Sequence, residues 1–291
     1  MDPALRAEVR FLTTRLGAII REQCGEQVFE AIENLRKLSK QIREHPRGEL
    51  LAANEEQVKA LGLGQAAAVA HAFSLFFHLV NLCEERQRIR RLRSYEQQDI
   101  GAPMSLRHSF QELRRHHVPP EAVATLLESM RIEPVLTAHP TEAKRRSVLN
   151  HILRIGRTLE WLGGELGPRA RRALDPQIEA LWLTDEVRRR PITPAVEIEN
   201  VLSFFERTVY DLGGAFWETF CEELAGFDPG LAPPAPFLRF GSWVGADRDG
   251  NPSVTPETSL AAAQAHRRSI LDYYRRECGR LIGPVSYTHL R

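Results

Sequence analysis

The sequence of 291 residues has almost no excess of charge and few cysteines. Its 39 lysine and arginine residues are matched by 38 aspartate and glutamate residues. A balance this close gives no general field that attracts nucleic acid or an acidic membrane, so any anion site must be local. The four cysteines, Cys24, Cys83, Cys221 and Cys278, form no C-x-x-C pair and have no metal-ligand spacing. They predict reduced thiols in a cytoplasmic protein.

The sequence also lacks a secretory leader and a clear membrane span. The first ten residues, MDPALRAEVR, carry acids and have no apolar run. The longest apolar window, Ala66 to Cys83, reaches the lower length limit of a membrane helix. It contains His71, His78 and Asn81, which are costly in lipid, so we expect a buried helix and no membrane association.

The apolar pattern predicts a mostly α chain with few strands, without internal repeats. Helical spacing runs through the first 130 residues, broken at the sequence HPRG that begins at His45. Later helices are expected at residues 121–130, 149–161, 176–189 and 196–224, the last interrupted at Gly213 and Gly214. Two short strands are expected at residues 135–138 and 238–244.

Five arginines lie between Arg86 and Arg93, near the end of the third predicted helix. They can form an anion patch or a solvated helix end that pairs with nearby acids. We favour the paired helix end, because cations suit the last turn of a helix. A nucleic-acid function would depend on this run alone, without interleaved aromatic residues or net charge, so we expect no nucleic-acid partner.

The stretch VLTAHPTEAKRR, Val135 to Arg146, places a histidine between a strand and a helix. Pro140 disfavours helical geometry at His139, and Thr141 can cap a helix that starts at Glu142. Catalytic groups lie at the carboxyl ends of strands in β/α barrels, and a histidine there can transfer protons near neutral pH. His139 is therefore a candidate catalytic residue.

Arg145 and Arg146 follow in the first turns of the same predicted helix. Cations at a helix N-terminus oppose the helix dipole by roughly 0.3–1 kcal/mol each. A bound phosphate or carboxylate would reverse that sign. Two interpretations stay open, an anion site and neutralisation of the arginines by Glu142 or a distant acid.

The stretch GSWVGADRDGNP, Gly241 to Pro252, follows the second strand. The alternation of Asp247, Asp249 and Asn251 does not fit a calcium-binding EF-hand, since the sixth position is proline and the twelfth is threonine. We expect a turn whose acidic side chains bind their own backbone, with Gly250 in an unusual conformation. Arg248, between two aspartates, either holds loops together or faces a ligand.

Together these two stretches resemble the phosphoenolpyruvate carboxylase family. Val135 to Arg146 fits every fixed position of its histidine signature, which contains T-A-H-P-T and ends in a basic pair. Gly241 to Pro252 fits the second landmark, G-S-W-x-G-G-D-R-D-G-N-P, except that Ala246 replaces a glycine. That methyl group matters only if the residue needs a positive φ. The resemblance covers about residues 12–281.

The resemblance implies a β/α (TIM-type) barrel decorated with helices, usually a homotetramer. The family joins phosphoenolpyruvate and bicarbonate to give oxaloacetate and phosphate, with Mg²⁺ or Mn²⁺. His139 matches the catalytic histidine, and Trp243 and Arg248 fall in the substrate pocket, where Trp243 helps to wall in carbon dioxide. Arg145 and Arg146, and less clearly Arg188 and Arg189, match positions that bind a sugar-phosphate effector.

The family is several hundred residues longer, and its metal-binding acids and catalytic lysine fall beyond residue 291. We therefore expect residues 1–283 to be the N-terminal portion of an incomplete enzyme domain without carboxylase activity of its own. Residues 284–291, PVSYTHLR, resemble a translated sequencing adapter rather than native sequence.

Two alternatives remain. One is a non-catalytic helical module that binds a phosphorylated metabolite through Arg145 and Arg146. The other is metal-dependent hydrolysis centred on His139 and Asp247, which is weak because no second histidine lies at ligand spacing.

Overall fold

The described residues are mostly helical, with 75% of them in helices. The computed structural model describes residues 2–137, 145–186, 192–248 and 250–282. The chain divides into two units, Met1–Ser94 with Lys144–Arg189 (unit 1) and Tyr95–Ala143 with Arg190–Arg291 (unit 2). The prediction of a mostly α chain with few strands is confirmed.

Unit 1 is built from helices alone within its described residues. They are α1 (Pro3–Cys24), α2 (Glu26–Glu44), α3 (Gly48–Lys59), most of α4 (Leu63–Gln97), α7 (Arg146–Trp161) and α8 (Pro168–Trp182). The side chain of Asp2 starts α1 by accepting hydrogen bonds from the backbone N–H groups of Ala4 and Leu5. The predicted break at His45 is confirmed, since α2 ends at Glu44 and α3 begins at Gly48.

The long apolar helix α4 contributes one face to the core of unit 1. Val69, Leu75 and Leu79 are buried there with residues of α1, α2, α7 and α8. By length and composition alone, α4 is also the one helix in the described residues that is long enough and apolar enough to cross a membrane. Core helices share those properties, so the burial of these side chains supports the prediction of a buried helix.

Unit 2 contains helices and a pair of very short strands. In chain order its described elements are α5 (Leu106–Arg115), α6 (Pro120–Ser129), β1 (Val135–Leu136), α9 (Pro194–Phe204), a π-helix (Phe205–Val209), α10 (Tyr210–Phe227), β2 (Gly241–Ser242) and α11 (Pro256–Ile282). One core cluster joins α5, α6 and α10 around Phe110 and Phe220. A second joins α9, the π-helix and α11 around Phe205 and Val244.

Both predicted strands exist and pair in parallel. Val135 lies opposite Gly241 and Leu136 opposite Ser242, and an isolated bridge joins Ile132 to Leu238. The paired core of each strand is shorter than predicted. Parallel pairing puts the two carboxyl ends at the same edge of the sheet.

Three helix boundaries differ from the predictions. Helix α7 begins at Arg146 rather than residue 149, after an extended Arg145 (φ −61°, ψ 137°), and the helix start predicted at Glu142 lies outside the described residues. Helix α8 starts at Pro168 and contains Pro176 inside it, and it ends at Trp182. The interruption predicted at Gly213 and Gly214 is wrong, since both lie within α10 and the irregular turn is the π-helix before it.

Candidate functional site

The carboxyl ends of β1 and β2 form the edge from which both sequence motifs continue. The N–H of Trp243, just after β2, donates to the carbonyl of Leu136, the last residue of β1, over 2.8 Å. The N–H of Gly241 donates to the carbonyl of Pro134 over 3.0 Å. The histidine stretch and the tryptophan loop therefore leave the sheet side by side. His139 itself lies outside the described residues, as do residues 138–144 in general.

The loop after β2 turns tightly at Trp243. The carbonyl of Trp243 accepts hydrogen bonds from the N–H groups of Ala246 and Asp247, both over 2.9 Å. Trp243 is 54% exposed. An exposed aromatic ring at the carboxyl edge of the sheet can form one wall of a substrate pocket.

Gly245, rather than residue 246, carries the special backbone conformation of this loop. Its φ is +80°, and a Cβ there would lie 2.8 Å from Cδ1 of Ile198 and 2.9 Å from Cβ of Ala262. Ala246 is absent from the described non-glycine residues with positive φ. The departure of Ala246 from the motif is therefore compatible with the loop, and the glycine that the fold requires is retained.

The second half of the loop is a turn held by Asn251. Its side-chain Oδ1 accepts from the N–H of Ser253 over 3.0 Å, and Gly250 has a φ of +73°. The predicted conformation of Gly250 is confirmed, and the self-bonding turn is made by the asparagine. Asp247 and Arg248 are exposed and form no ion pair with each other, while Asp249 lies outside the described residues.

A cavity of about 640 Å³ opens beside β2 in unit 2. Phe240, Ser242 and Val244 line it from the strand side, and Tyr210 and His266 line it from the helices. Burial lowers the pKa of His266, and its Nε2 has no hydrogen-bond partner among the described residues. Sequence reasoning did not single out His266, because no local pattern distinguishes it from an ordinary helix residue.

Arg145 and Arg146 stand at the N-terminus of α7, in unit 1. Nη1 of Arg145 donates to the carbonyl of Asp185 over 2.5 Å and lies 3.8 Å from its carboxylate. Arg146 is exposed and has no ion pair with a described residue, and the first turn of α7 contains no acid. The distant acid Asp185 therefore lies beside Arg145, as the interpretation by neutralisation proposed, whereas Arg146 is exposed to solvent. Arg188 and Arg189 lie outside the described residues.

A polar cluster in unit 1 was not singled out from the sequence. Three side chains of α4, His71, Ser74 and His78, all bind the carboxylate of Glu186, which follows α8. We call these four residues the Glu186 cluster. Positions 71, 74 and 78 share one helix face. That spacing was the one sign of the cluster in the sequence, and it could not identify Glu186, which lies more than 100 residues further along the chain.

The arginine run of α4 forms ion pairs within unit 1. Arg86 and Arg90 both donate to Oε1 of the buried Glu8, over 3.2 and 2.8 Å. Arg93 pairs with Glu160 over 2.8 Å. The predicted pairing with acids is therefore present for these three arginines, but α4 has no basic residue in its last turn, and Arg86 is mostly buried rather than solvated.

Comparison with known proteins decides the family. The model of the phosphoenolpyruvate carboxylase family matches residues 5–291. The chain belongs to the phosphoenolpyruvate carboxylase family. It is 34% identical over 277 residues to a phosphoenolpyruvate carboxylase of Roseiflexus castenholzii and 37% identical over 287 residues to one of Azoarcus sp..

These matches cover 92% and 94% of this chain but only 29% and 31% of those relatives. A phosphoenolpyruvate carboxylase of Paraburkholderia xenovorans gives the same picture, with 33% identity, 99% of this chain and 30% of the relative. The chain thus spans about 30% of the length of the relatives that it matches.

The described residues of this family member offer no group that fits a catalytic metal. No set of three or more histidine, cysteine, aspartate or glutamate side chains comes together there in a way that could hold an ion. Asp247 has no such neighbours among the described residues, and His139, on which the hydrolase alternative centres, lies outside them.

Proposed function

We propose that this chain is the N-terminal portion of a phosphoenolpyruvate carboxylase, which joins phosphoenolpyruvate and bicarbonate to give oxaloacetate and phosphate. The observation that carries the proposal is the parallel pairing of β1 and β2, which starts both family motifs from one sheet edge. The match over residues 5–291 supports it independently.

In this proposal the reaction divides between groups on this chain and groups elsewhere in the enzyme. Bicarbonate attacks the phosphate of phosphoenolpyruvate, giving carboxyphosphate and the enolate of pyruvate. His139 acts as the base that takes the proton of carboxyphosphate, which breaks down to inorganic phosphate and carbon dioxide, and the enolate captures the carbon dioxide to give oxaloacetate. Trp243 helps to wall the pocket, because water that reaches the enolate would quench it. Arg248 contributes to the same pocket.

The remaining features of the enzyme are proposals of the same kind. Two strands cannot close a barrel, so the TIM-type barrel would be completed by further sequence, which would also supply the ligands of Mg²⁺ or Mn²⁺. The assembled enzyme would be a cytoplasmic homotetramer that supplies oxaloacetate to the tricarboxylic acid cycle. Residues 284–291 lie outside the described part, and their non-native origin stays a prediction.

The experiment is to express the complete reading frame that contains residues 1–282 and to measure oxaloacetate formation from phosphoenolpyruvate and bicarbonate. We expect activity in the wild type and its loss in His139→Asn. The matched control is His45→Asn, at the exposed C-cap residue that follows α2. Full activity in His139→Asn would contradict the assigned role, and a wild type that forms no oxaloacetate would contradict the proposed reaction.

A second candidate function is binding of a phosphorylated metabolite at Arg145 and Arg146. Its specific support is the N-terminus of α7, where two arginines stand without an acid in the first turn. The test is calorimetric titration of the 291-residue chain with glucose 6-phosphate. We expect saturable binding that Arg146→Ala weakens and Arg91→Ala, at another exposed arginine of unit 1, leaves unchanged. Equal binding by the two variants would place the site elsewhere.

A further inference from the structure

Helix α11 packs within unit 2 through one of its faces. Ala262 and Ser269 are buried on this face, and Tyr273 follows them at helical spacing. The hydroxyl of Ser269 donates to Oε1 of Glu206 over 3.0 Å, and the hydroxyl of Tyr273 donates to the carbonyl of Tyr210 over 3.3 Å. This face therefore contacts the π-helix and the start of α10.

The opposite face of α11 carries a second row of apolar side chains. Leu271, Tyr274, Cys278 and Leu281 are alternately three and four residues apart, and Leu260 lies on the same side of the helix. The leucines and the tyrosine are between 52% and 71% exposed, and Cys278 is exposed as well. We call these five residues the outer stripe. Exposed apolar residues are ordinary when they occur singly, whereas an aligned row marks an interaction site.

The charged side chains of α11 do not lie opposite its packed face, as they do in an ordinary surface helix. Arg268, Asp272 and Arg275 project from a flank between the two faces, and Asp272 pairs with Arg275 over 3.3 Å at the surface. A helix with apolar side chains on two opposite faces is typical of a helix that is covered on both.

The shape of the outer stripe indicates what covers it. The stripe is about 30 Å long, at 1.5 Å per residue. Its alternate spacing of three and four residues is the seam along which two helices pack side by side. Arg267 lies within the stripe, is exposed and has no ion pair with a described residue. The covering element is therefore expected to be one amphipathic helix that carries an acid opposite Arg267.

The length of the relatives indicates where that helix comes from. The chain spans about 30% of the phosphoenolpyruvate carboxylases that it matches, so more than two thirds of each relative has no counterpart here. Leu281 and the exposed Ile282 end the stripe in the last turn of α11. A segment that continues from this turn would be tethered beside the stripe at a high effective concentration.

We propose that the outer stripe of α11 is the docking surface for an amphipathic helix from the part of the complete enzyme that has no counterpart in these 291 residues. The covering helix presents apolar side chains at the same spacing and an acidic side chain toward Arg267. This inference rests on the proposed function, because the complete enzyme supplies the helix.

Alkylation of Cys278 tests the cover directly, because this thiol belongs to the stripe. The product of the complete reading frame and the 291-residue chain are treated with iodoacetamide in native buffer. Mass spectrometry then follows the peptide that contains Cys278. We expect rapid labelling in the 291-residue chain, where Cys278 is exposed, and labelling at least about tenfold slower in the complete product.

The control Asp272→Cys places a thiol on the charged flank, at a side chain that is 58% exposed. This thiol should be labelled at the same rate in both proteins. Equal slowing at positions 272 and 278 in the complete product would mean that the whole helix is shielded, and would overturn docking along the stripe.

Leu271→Glu places a charge in the stripe without removing a buried side chain of the 291-residue chain. It should leave the urea unfolding of that chain unchanged, and it should speed the labelling of Cys278 in the complete product about tenfold, because a charge is costly in an apolar contact. The conservative variant Leu271→Met should keep the slow labelling.

Rapid labelling of Cys278 in the complete product would overturn the inference. Slow labelling of the 291-residue chain that depends on its concentration would identify a second copy as the cover, and would also overturn it. Oxaloacetate formation is measured on the same complete product. An active product with rapid labelling refutes the docking alone, and an inactive product with slow labelling refutes the proposed reaction alone.

Discussion

Replacing Gly245 by alanine should destabilise unit 2 strongly, while replacing its neighbour Ala246 by glycine should not. A left-handed backbone conformation costs an L-residue roughly 1–2 kcal/mol. Gly245 has a φ of +80°, and the added methyl group would press on Ile198 and Ala262 in a buried cluster. Overpacking of this kind costs about 1–3 kcal/mol, so the sum is about 2–5 kcal/mol.

The matched control is Ala246→Gly, which restores the glycine of the family motif. Residue 246 is exposed and does not have a positive φ, so the change should cost only about 0.4–1 kcal/mol through the entropy of the unfolded chain. Urea unfolding followed by circular dichroism measures both variants against the wild type.

A double-mutant cycle with Ile198→Val separates the two causes. Valine lacks the Cδ1 atom that would lie 2.8 Å from the new Cβ, so it relieves part of the contact but none of the backbone strain. We expect Gly245→Ala with Ile198→Val to be more stable than the sum of the single changes predicts. Wild-type stability in Gly245→Ala would refute this account of the loop.

Three further predictions concern other buried groups. Glu8→Ala should lower the free energy of unfolding by about 3 kcal/mol, because it leaves Arg86 and Arg90 without their shared buried carboxylate. The control Glu160→Ala removes the exposed ion pair with Arg93 and should have no measurable effect in the same urea titration. Burial raises the pKa of Cys83 to about 12, so at pH 8 iodoacetamide should label the exposed Cys278 and spare Cys83, and rapid labelling of Cys83 in the folded chain would contradict its burial. Burial lowers the pKa of His266 below its ordinary 6.5, so the unfolded state binds more protons and the free energy of unfolding should fall as the pH drops through 6.5. His266→Gln should reduce that fall, and an unchanged pH profile of the free energy of unfolding in this variant would contradict the lowered pKa.

The elements that local sequence determines were predictable. The break at His45 follows from the proline and glycine beside it, and both strands follow from short β-compatible runs next to prolines. The conformation of Gly250 follows from turn chemistry. These features depend on neighbours along the chain, which the sequence displays directly.

The features that distant residues decide were not predictable. Glu8 lies far along the chain from the arginines that it binds, and Glu186 lies far from the histidines of α4. The irregular turn between α9 and α10 avoids Gly213 and Gly214 and begins instead at Phe205, which is buried in a core cluster of unit 2. Pro176 lies inside α8. A helix start was predicted there, because proline is tolerated in the first turn of a helix and disfavoured in its interior.

The sequence predicted the two motifs of the site, but only part of their three-dimensional arrangement. The sequence predicted each motif after a strand of its own, whereas the parallel pairing that brings the two strand ends to one sheet edge is seen only in the structure. The turn at Asn251 matches the expected chemistry with a different side chain. The roles of His139, Arg188 and Arg189 stay predictions, because these residues lie outside the described part of the chain.

The most direct test of the central claim is the rate of oxaloacetate formation by the complete reading frame, compared between wild type and His139→Asn. The account predicts formation that requires both phosphoenolpyruvate and bicarbonate in the wild type, and its loss in the variant. It also predicts that the 291-residue chain alone forms none. Oxaloacetate formation by that chain, or full activity without His139, would contradict the account.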